Sequence, residues 1–167
     1  MKKILLSLSI LSLLIFASCG SDDGPSVNNQ ITVGDQTFDI TNGGYIDLGE
    51  TEGTTQAVFA LADADISITS TPSFSVGSSS TFRIVLNLVA LGSSLSSGTY
   101  TEGDVLSPDA GRVFFVSLLD ADGTSYSVDS GSIEFSGTSP NFTLVFDLTL
   151  NGGTRLTGGY SGTFATN

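Results

Sequence analysis

The chain lacks histidine and tryptophan, and Cys19 is the one cysteine among its 167 residues. Without histidine, neither a Ser–His–Asp triad nor a Cys–His dyad can form. A zinc site would also lack its usual His and Cys ligands. Because a single cysteine cannot form an intramolecular disulfide, the fold must depend on its hydrophobic core. These absences predict that the protein is not an enzyme and has no cofactor.

Basic residues are scarce as well, with 5 Lys and Arg against 17 Asp and Glu. Lys2 and Lys3 lie in the N-terminal segment described next, and without them 3 Arg face 17 acidic residues, a charge of −14. A surface of this sign repels phosphate backbones, so we expect no nucleic acid partner. The same sign disfavours peripheral binding to anionic lipid headgroups.

The first 19 residues are organised as a secretion signal. Two lysines precede an apolar run at 4–16, which is shorter than the roughly 20 residues that a membrane-spanning helix needs. Residues 1–18 are therefore interpreted as a cleaved signal peptide. The tetrad FASC at 16–19 resembles the lipobox of bacterial lipoproteins, although Phe16 replaces the usual Leu. This resemblance implies that Cys19 is lipidated, so that the membrane is a partner through the lipid anchor.

The segment that follows the cysteine is polar. Residues 19–29 comprise the lipidated Cys19 and a flexible tether, GSDDGPSVNN, before the folded domain at 30–167. Asp22 and Asp23 resemble the acidic export signal of Bacteroidota lipoproteins, which implies a lipid-anchored location on the outer membrane, facing outward.

The domain at 30–167 is predicted to be all-β. Residues 142–150 alternate perfectly between apolar and polar side chains, as in a half-buried strand. The DADG segment at 120–123 and the NGG segments at 42–44 and 151–153 predict turns. The glycines at 158, 159 and 162 predict bulges or a tight barrel corner within the last strand. We expect about nine or ten strands in a single antiparallel β-barrel or β-sandwich.

Three segments carry a resemblance to a known group of proteins. FDITNGGYIDLG at 38–49, GTYTEGD at 98–104 and NFTLVFDLTLNGGTRLTGGYSGTF at 141–164 are similar to segments of small Bacteroidota surface lipoproteins of unassigned function. Some of those proteins are calycin-like or lipocalin-like barrels. The resemblance therefore implies a β-barrel and says almost nothing about chemistry.

The sequence assigns no metal site. Asp120 and Asp122 place carboxylates at alternate positions, as do Asp63 and Asp65, and this spacing occurs in calcium sites. No Glu stands at the twelfth position after Asp120, so the EF-hand pattern is absent. Asp and Gly in a hairpin turn explain the same residues without calcium.

The sequence favours a non-catalytic, lipid-anchored envelope protein that acts as a binding or accessory module for a glycan or protein ligand. A structural lipoprotein without a ligand and a barrel for a small apolar ligand both stay open. Eleven Phe favour a packed interior. Recognition is then expected through the loops at 49–55, 71–79 and 101–111 and through exposed tyrosines. The candidate tyrosines are Tyr45, Tyr100, Tyr126 and Tyr160, for which half-buried packing is the alternative.

Overall fold

The computed structural model of the protein describes residues 27–69, 73–103 and 111–166. The predicted signal peptide, Cys19 and the tether before Val27 lie outside the described residues. The domain is all-β, as predicted, and within these ranges no helix is long and apolar enough to cross a bilayer.

Thirteen strands and one 3-10 turn make up the described part of the domain, more than the nine or ten strands expected. The strands are β1 Gln30–Val33, β2 Gln36–Asp39, β3 Asn42–Thr51, β4 Thr54–Ala62, β5 Ile66–Ile68, β6 Phe74–Val76, β7 Phe82–Leu91, β8 Gly98–Glu102, β9 Arg112–Ala121, β10 Thr124–Ser125, β11 Val128–Thr138, β12 Asn141–Leu150 and β13 Arg155–Thr166, with the 3-10 turn at Asn151–Gly153. The extra strands are short ones, which alternation patterns detect poorly.

Eight strands close into a barrel, which decides between the barrel and the sandwich. Their order is β12-β11-β8-β9-β7-β4-β3-β13, and β13 pairs back with β12. Strands β1 and β2 extend the sheet beyond β13, and β10 pairs with β9. The small hairpin of β5 and β6 forms a separate sheet.

The expectation of a purely antiparallel barrel is wrong. Strand β8 runs parallel to β9, and the end of β13 runs parallel to the start of β3. In a closed ring of eight strands the number of direction reversals must be even, so one parallel pair requires a second. The C-terminal residues of β13 meet β3 because β1 pairs with the first half of β13.

The turn predicted at 42–44 is also wrong, because these residues begin β3. A Cβ on Gly43 would lie 2.7 Å from the ring of Phe164, and one on Gly44 would lie 2.6 Å from the ring of Phe74. Both glycines are buried. Because they lack a side chain, Gly43 leaves room for the Phe164 ring inside the barrel, and Gly44 leaves room for the Phe74 ring of the β5–β6 hairpin outside it.

The glycines at 158, 159 and 162 predict bulges or a tight barrel corner, and the bulge is absent because the pairing of β13 with β12 and with β1 shows no register shift. Gly158 instead has φ +119°, and a Cβ there would lie 2.1 Å from the carbonyl oxygen of Gln30. The glycine allows β1 to approach closely.

Aromatic side chains fill the barrel interior. Phe59 is fully buried. The centroid of its ring lies 5.4 Å from that of Phe142, 5.6 Å from that of Phe135 and 5.8 Å from that of Phe164. Along β12, all five apolar residues of the predicted alternation are buried at 5% exposure or less. This agrees with the expectation of a packed interior.

Candidate functional site

An open recess of about 260 Å³ lies at one end of the barrel. Three connections border it: the end of β3 and start of β4, the segment after β7, and the turn from β11 to β12. We call it the Tyr45 recess. Its lining residues are Tyr45, Asp47, Gly49, Glu50, Thr55, Ser93, Ser94, Leu95, Phe135, Gly137, Thr138, Ser139 and Phe142.

The base of the Tyr45 recess is continuous with the aromatic core. The ring of Tyr45 lies 4.8 Å from that of Phe142 and 5.1 Å from that of Phe59. Phe135 and Phe142 are buried, and Leu95 is half-buried against the core. The base is therefore apolar and closely packed, whereas the rim consists of exposed Asp, Glu, Ser and Thr side chains.

A β-bulge positions the acidic side of the rim. The register of β3 on β4 shifts between Asp47 and Gly49, where Gly49 takes φ +76°. The Gly49 N–H donates to Asp47 Oδ1 at 2.8 Å. Such a bulge bends the strand and redirects side chains, and here Asp47 and Glu50 both line the recess. The pKa of the Tyr45 hydroxyl is raised, mainly because the group is partly buried and to a lesser extent because of the neighbouring Asp47 carboxylate.

The segment after β7 is tied to the neighbouring hairpin. Thr55 is buried, and its hydroxyl donates to the Gly92 carbonyl at 2.7 Å. The Gly92 N–H in turn donates to the Gly53 carbonyl at 2.8 Å. These bonds fix the position from which Ser93 and Ser94 reach the rim of the recess.

A second recess, of about 400 Å³, is lined by Ser80, Thr81, Arg83, Asp120 and Ser125 among others. We call it the Arg83 recess. Arg83 Nη2 lies 2.6 Å from Asp120 Oδ2, and Arg83 Nε donates to the same oxygen at 2.8 Å. The Ser125 hydroxyl donates to the other oxygen of Asp120. The Ser125 hydrogen bond outweighs the effect of burial and, together with Arg83, lowers the pKa of the Asp120 carboxyl.

The calcium candidates do not converge. Asp120 is engaged with Arg83 and Ser125, and Asp122 accepts a hydrogen bond from Gln36 Nε2 at 3.1 Å. Asp122 and Gly123 have φ values of +48° and +75° and form the hairpin turn that the DADG segment predicts. Among residues 27–69, 73–103 and 111–166, no group of three or more Cys, Asp or Glu is arranged to hold a metal ion.

Asp63, which with Asp65 forms the other pair of calcium candidates, stabilises the segment that leads into β7. Its carboxylate accepts from the Ser80 and Thr81 hydroxyls and from the backbone N–H groups of Thr81 and Phe82. Burial acts to raise the pKa of this carboxyl, but these hydrogen bonds outweigh it, so that the pKa lies below its ordinary value. Asp63 therefore holds the start of β7, and Asp65 is exposed.

The tyrosines expected at the surface are not exposed. Tyr100 and Tyr160 are buried, and Tyr45 and Tyr126 are half-buried against the core. Packing in the core explains these tyrosines better than stacking on sugars. Of the four, Tyr45 is the one that lines the Tyr45 recess.

Two of the expected loops also differ from the prediction. Residues 49–55 form a tight hairpin, with Glu52 and Gly53 at φ +53° and +79°, because β3 and β4 extend into it. Residues 73–79 contain β6, while residues 71–72 and 104–110 lie outside the described part of the chain. Sequence reasoning did not identify Leu95 or Thr138, since no local pattern indicates that the β7–β8 segment and the β11–β12 turn meet at one end.

No protein family, curated protein or solved structure matches the chain. The closed eight-stranded barrel is compatible with a calycin-like architecture.

Proposed function

We propose that the protein is a non-catalytic, lipid-anchored module on the outer face of the outer membrane, and that it binds its ligand in the Tyr45 recess. The observation that carries the proposal is the position of this recess at the end of a barrel whose interior is filled. Binding sites of β-barrels occur preferentially in their mouths. A barrel with a packed interior leaves its end and its connecting segments for recognition.

The sequence supports the non-catalytic part of the proposal. The chain has no histidine, and its one cysteine stands in the lipobox. Carboxylates are left as the acid–base groups, and a glycosidase needs two of them about 5–9.5 Å apart in a cleft. Asp63 and Asp120 both hold structural hydrogen bonds, and Asp47, on the open rim beside Glu50, accepts one from the Gly49 N–H.

The anchored location rests on the first 23 residues. The basic start, the apolar run at 4–16 and the lipobox ending at Cys19 support export and lipidation, and Asp22 and Asp23 support outward exposure. The resemblance to Bacteroidota surface lipoproteins supports the same location.

A barrel that carries a small apolar ligand inside is the second candidate. Eight-stranded barrels can hold one small molecule. Here the rings of Phe59, Phe135, Phe142 and Phe164 occupy the interior at centroid distances of 5.4–5.8 Å. This packing favours recognition at the barrel end over internal transport.

The anchor is tested with Cys19→Ala. The variant should lose labelling by a clickable fatty acid and lose lipoprotein-type cleavage, because the acylated atom is the cysteine sulfur. Labelling that persists in the variant would contradict lipidation at this residue.

The recess is tested by filling it. Ser94→Trp places an indole on the rim, and Ser97→Trp, in the same exposed segment but outside the lining, is its matched control. The full chain in neutral detergent is titrated by calorimetry with soluble glycans, peptides, amines and fatty acids. We expect a ligand whose binding is lost in Ser94→Trp and retained in Ser97→Trp. Stoichiometric uptake of a fatty acid by both variants would favour the transport barrel, and no binding to the wild type would favour a structural lipoprotein.

A further inference from the structure

The chemistry of the Tyr45 recess narrows the class of ligand. Its base is made by the side chains of Leu95, Phe135 and Phe142, and its rim carries the carboxylates of Asp47 and Glu50. Asp47 uses one oxygen to accept from the Gly49 N–H, and its negative charge contributes to the raised pKa of the nearby Tyr45 hydroxyl. The recess thus joins an apolar base to a fixed negative charge within about 260 Å³.

No basic side chain neutralises these carboxylates within the recess. Its lining residues include no Arg, and the chain has no Lys after residue 3. Arg83 pairs with Asp120 and Arg155 pairs with Asp147, both away from the recess. Arg112 lies at the same end of the barrel, where its Nε donates to Ser96 Oγ at 3.0 Å, outside the lining. The carboxylates of the rim therefore lack a cationic partner among the residues that line the recess.

The charge of the whole chain adds to this local field. A net charge of −14 without the signal lysines attracts cations and repels anions over the surface, and a concave site with low-dielectric walls concentrates that field. An anionic ligand would have to approach against it. Calcium prefers six or more oxygen ligands, and the two rim carboxylates do not supply that number.

Resting on the proposed function, we infer that the Tyr45 recess binds an organic cation on an aliphatic stem, an ammonium group such as that of a lysine side chain or of a free alkylamine. The stem packs on the apolar base and the ammonium group lies at the rim between Asp47 and Glu50. Lysine-like groups bury their methylene stems on apolar surface while the charged head stays at a polar edge. The ammonium remains charged at pH 7 because its usual pKa is near 10.4.

The test measures binding of defined probes to the full chain in neutral detergent by calorimetry at low salt. The probes are acetyl-Gly-Lys-Gly-amide, n-butylamine, and acetyl-Gly-norleucine-Gly-amide, which keeps the stem and lacks the charge. We expect the lysine peptide or the amine to bind at least about tenfold more tightly than the norleucine peptide, and we expect binding to weaken as salt rises. Tighter binding of the peptide assigns the cation to a protein partner, and tighter binding of the amine assigns it to a free amine. Equal binding of the norleucine peptide would overturn the inference, as would binding of calcium chloride that displaces every amine.

The variant Asp47→Asn/Glu50→Gln removes the two rim charges, and the asparagine keeps an oxygen for the Gly49 N–H. The matched control Glu52→Gln/Glu134→Gln removes two charges from exposed residues outside the recess. We expect a loss of about tenfold or more in the first variant and less than about twofold in the control, with closely similar thermal unfolding in the two variants because each removes two negative charges. An equal loss in both would show that only the general field acts, and would refute the site.

Failure of this inference is distinguishable from failure of the proposed function. If an uncharged ligand binds and Ser94→Trp abolishes its binding, the recess functions but not for cations. If no probe shows binding that Ser94→Trp removes, the proposed function falls together with the inference.

Discussion

At the scale of single residues, Asp63 shows how a side chain can stabilise a connection. Four donors from Ser80, Thr81 and Phe82 converge on its carboxylate at the start of β7. Removing one partner of such a group leaves donors without acceptors. We expect Asp63→Ala to lower the free energy of unfolding by about 1–3 kcal/mol in urea denaturation at pH 7. The control Asp65→Ala changes an exposed side chain and should stay within about 0.5 kcal/mol.

The same carboxylate gives a pH dependence whose sign follows from its lowered pKa. A group with a depressed pKa in the folded state stabilises the protein above its unfolded pKa, near 3.9, and loses this contribution as the pH falls through the folded pKa. The difference in unfolding free energy between the wild type and Asp63→Ala should therefore be constant from pH 7 to about pH 5 and shrink below about pH 4. A difference that grows on acidification would contradict this assignment.

At the scale of elements, alternation gave correct strands where the strand is long and one face is buried. The strand at 142–150 is predicted correctly because the apolar side chains of its alternation point into the barrel interior. The NGG segment at 151–153 turns as predicted, whereas the same letters at 42–44 lie in a strand. No local pattern distinguishes the two segments. Glycine is needed at 43 and 44 because the rings of Phe164 and Phe74, from distant segments, lie against these positions.

The candidate site was predictable only in part for the same reason. Tyr45 and the segment 49–55 were identified from the sequence, but as an exposed tyrosine and a long loop. The recess depends on a bulge at Asp47–Gly49 and on the meeting of three connections at one barrel end. Those are consequences of sheet order, including the two parallel pairs, and no short pattern encodes them.

A pair of adjacent substitutions tests the inside-out alternation of β12. Phe146 is 2% exposed and points into the core, and Asp147 is exposed. We expect Phe146→Ala to lower the unfolding free energy by about 3–5 kcal/mol because it leaves a cavity among packed side chains. Asp147→Ala removes only a solvent-exposed pair with Arg155 and should cost about 1 kcal/mol or less. Urea denaturation of both variants is the measurement, and similar losses would contradict the assigned faces.

At the scale of the whole molecule, closure of the barrel joins segments far apart in sequence. The last strand, β13, pairs with β12, β1 and β3, so residues near both termini of the domain complete one sheet. Secondary structure alone therefore does not decide the fold, and the barrel depends on long-range pairing around one aromatic core.

Net charge is the property of the whole molecule that acts against this closure. With 17 acidic residues and few bases, the folded state concentrates negative charge that the unfolded chain spreads out. Added salt screens this repulsion, since the Debye length falls from about 10 Å at 0.1 M to about 3 Å at 1 M. We therefore expect the melting temperature at pH 7 to rise with sodium chloride over this range. A gain on the order of 1 kcal/mol would correspond to roughly 3–5 °C for a domain of this size.

The matched measurement is made near pH 4, because the sequence pI is about 4.1 and the net charge there is close to zero. General salting-out effects of sodium chloride persist at that pH, whereas charge repulsion does not. The rise in melting temperature with salt should therefore be clearly smaller at pH 4 than at pH 7. An equal rise at both pH values would assign the stabilisation to burial of apolar surface and not to relief of repulsion. A melting temperature at pH 7 that does not respond to salt would show that the acidic side chains are spaced widely enough to leave the closed barrel unstrained by its charge.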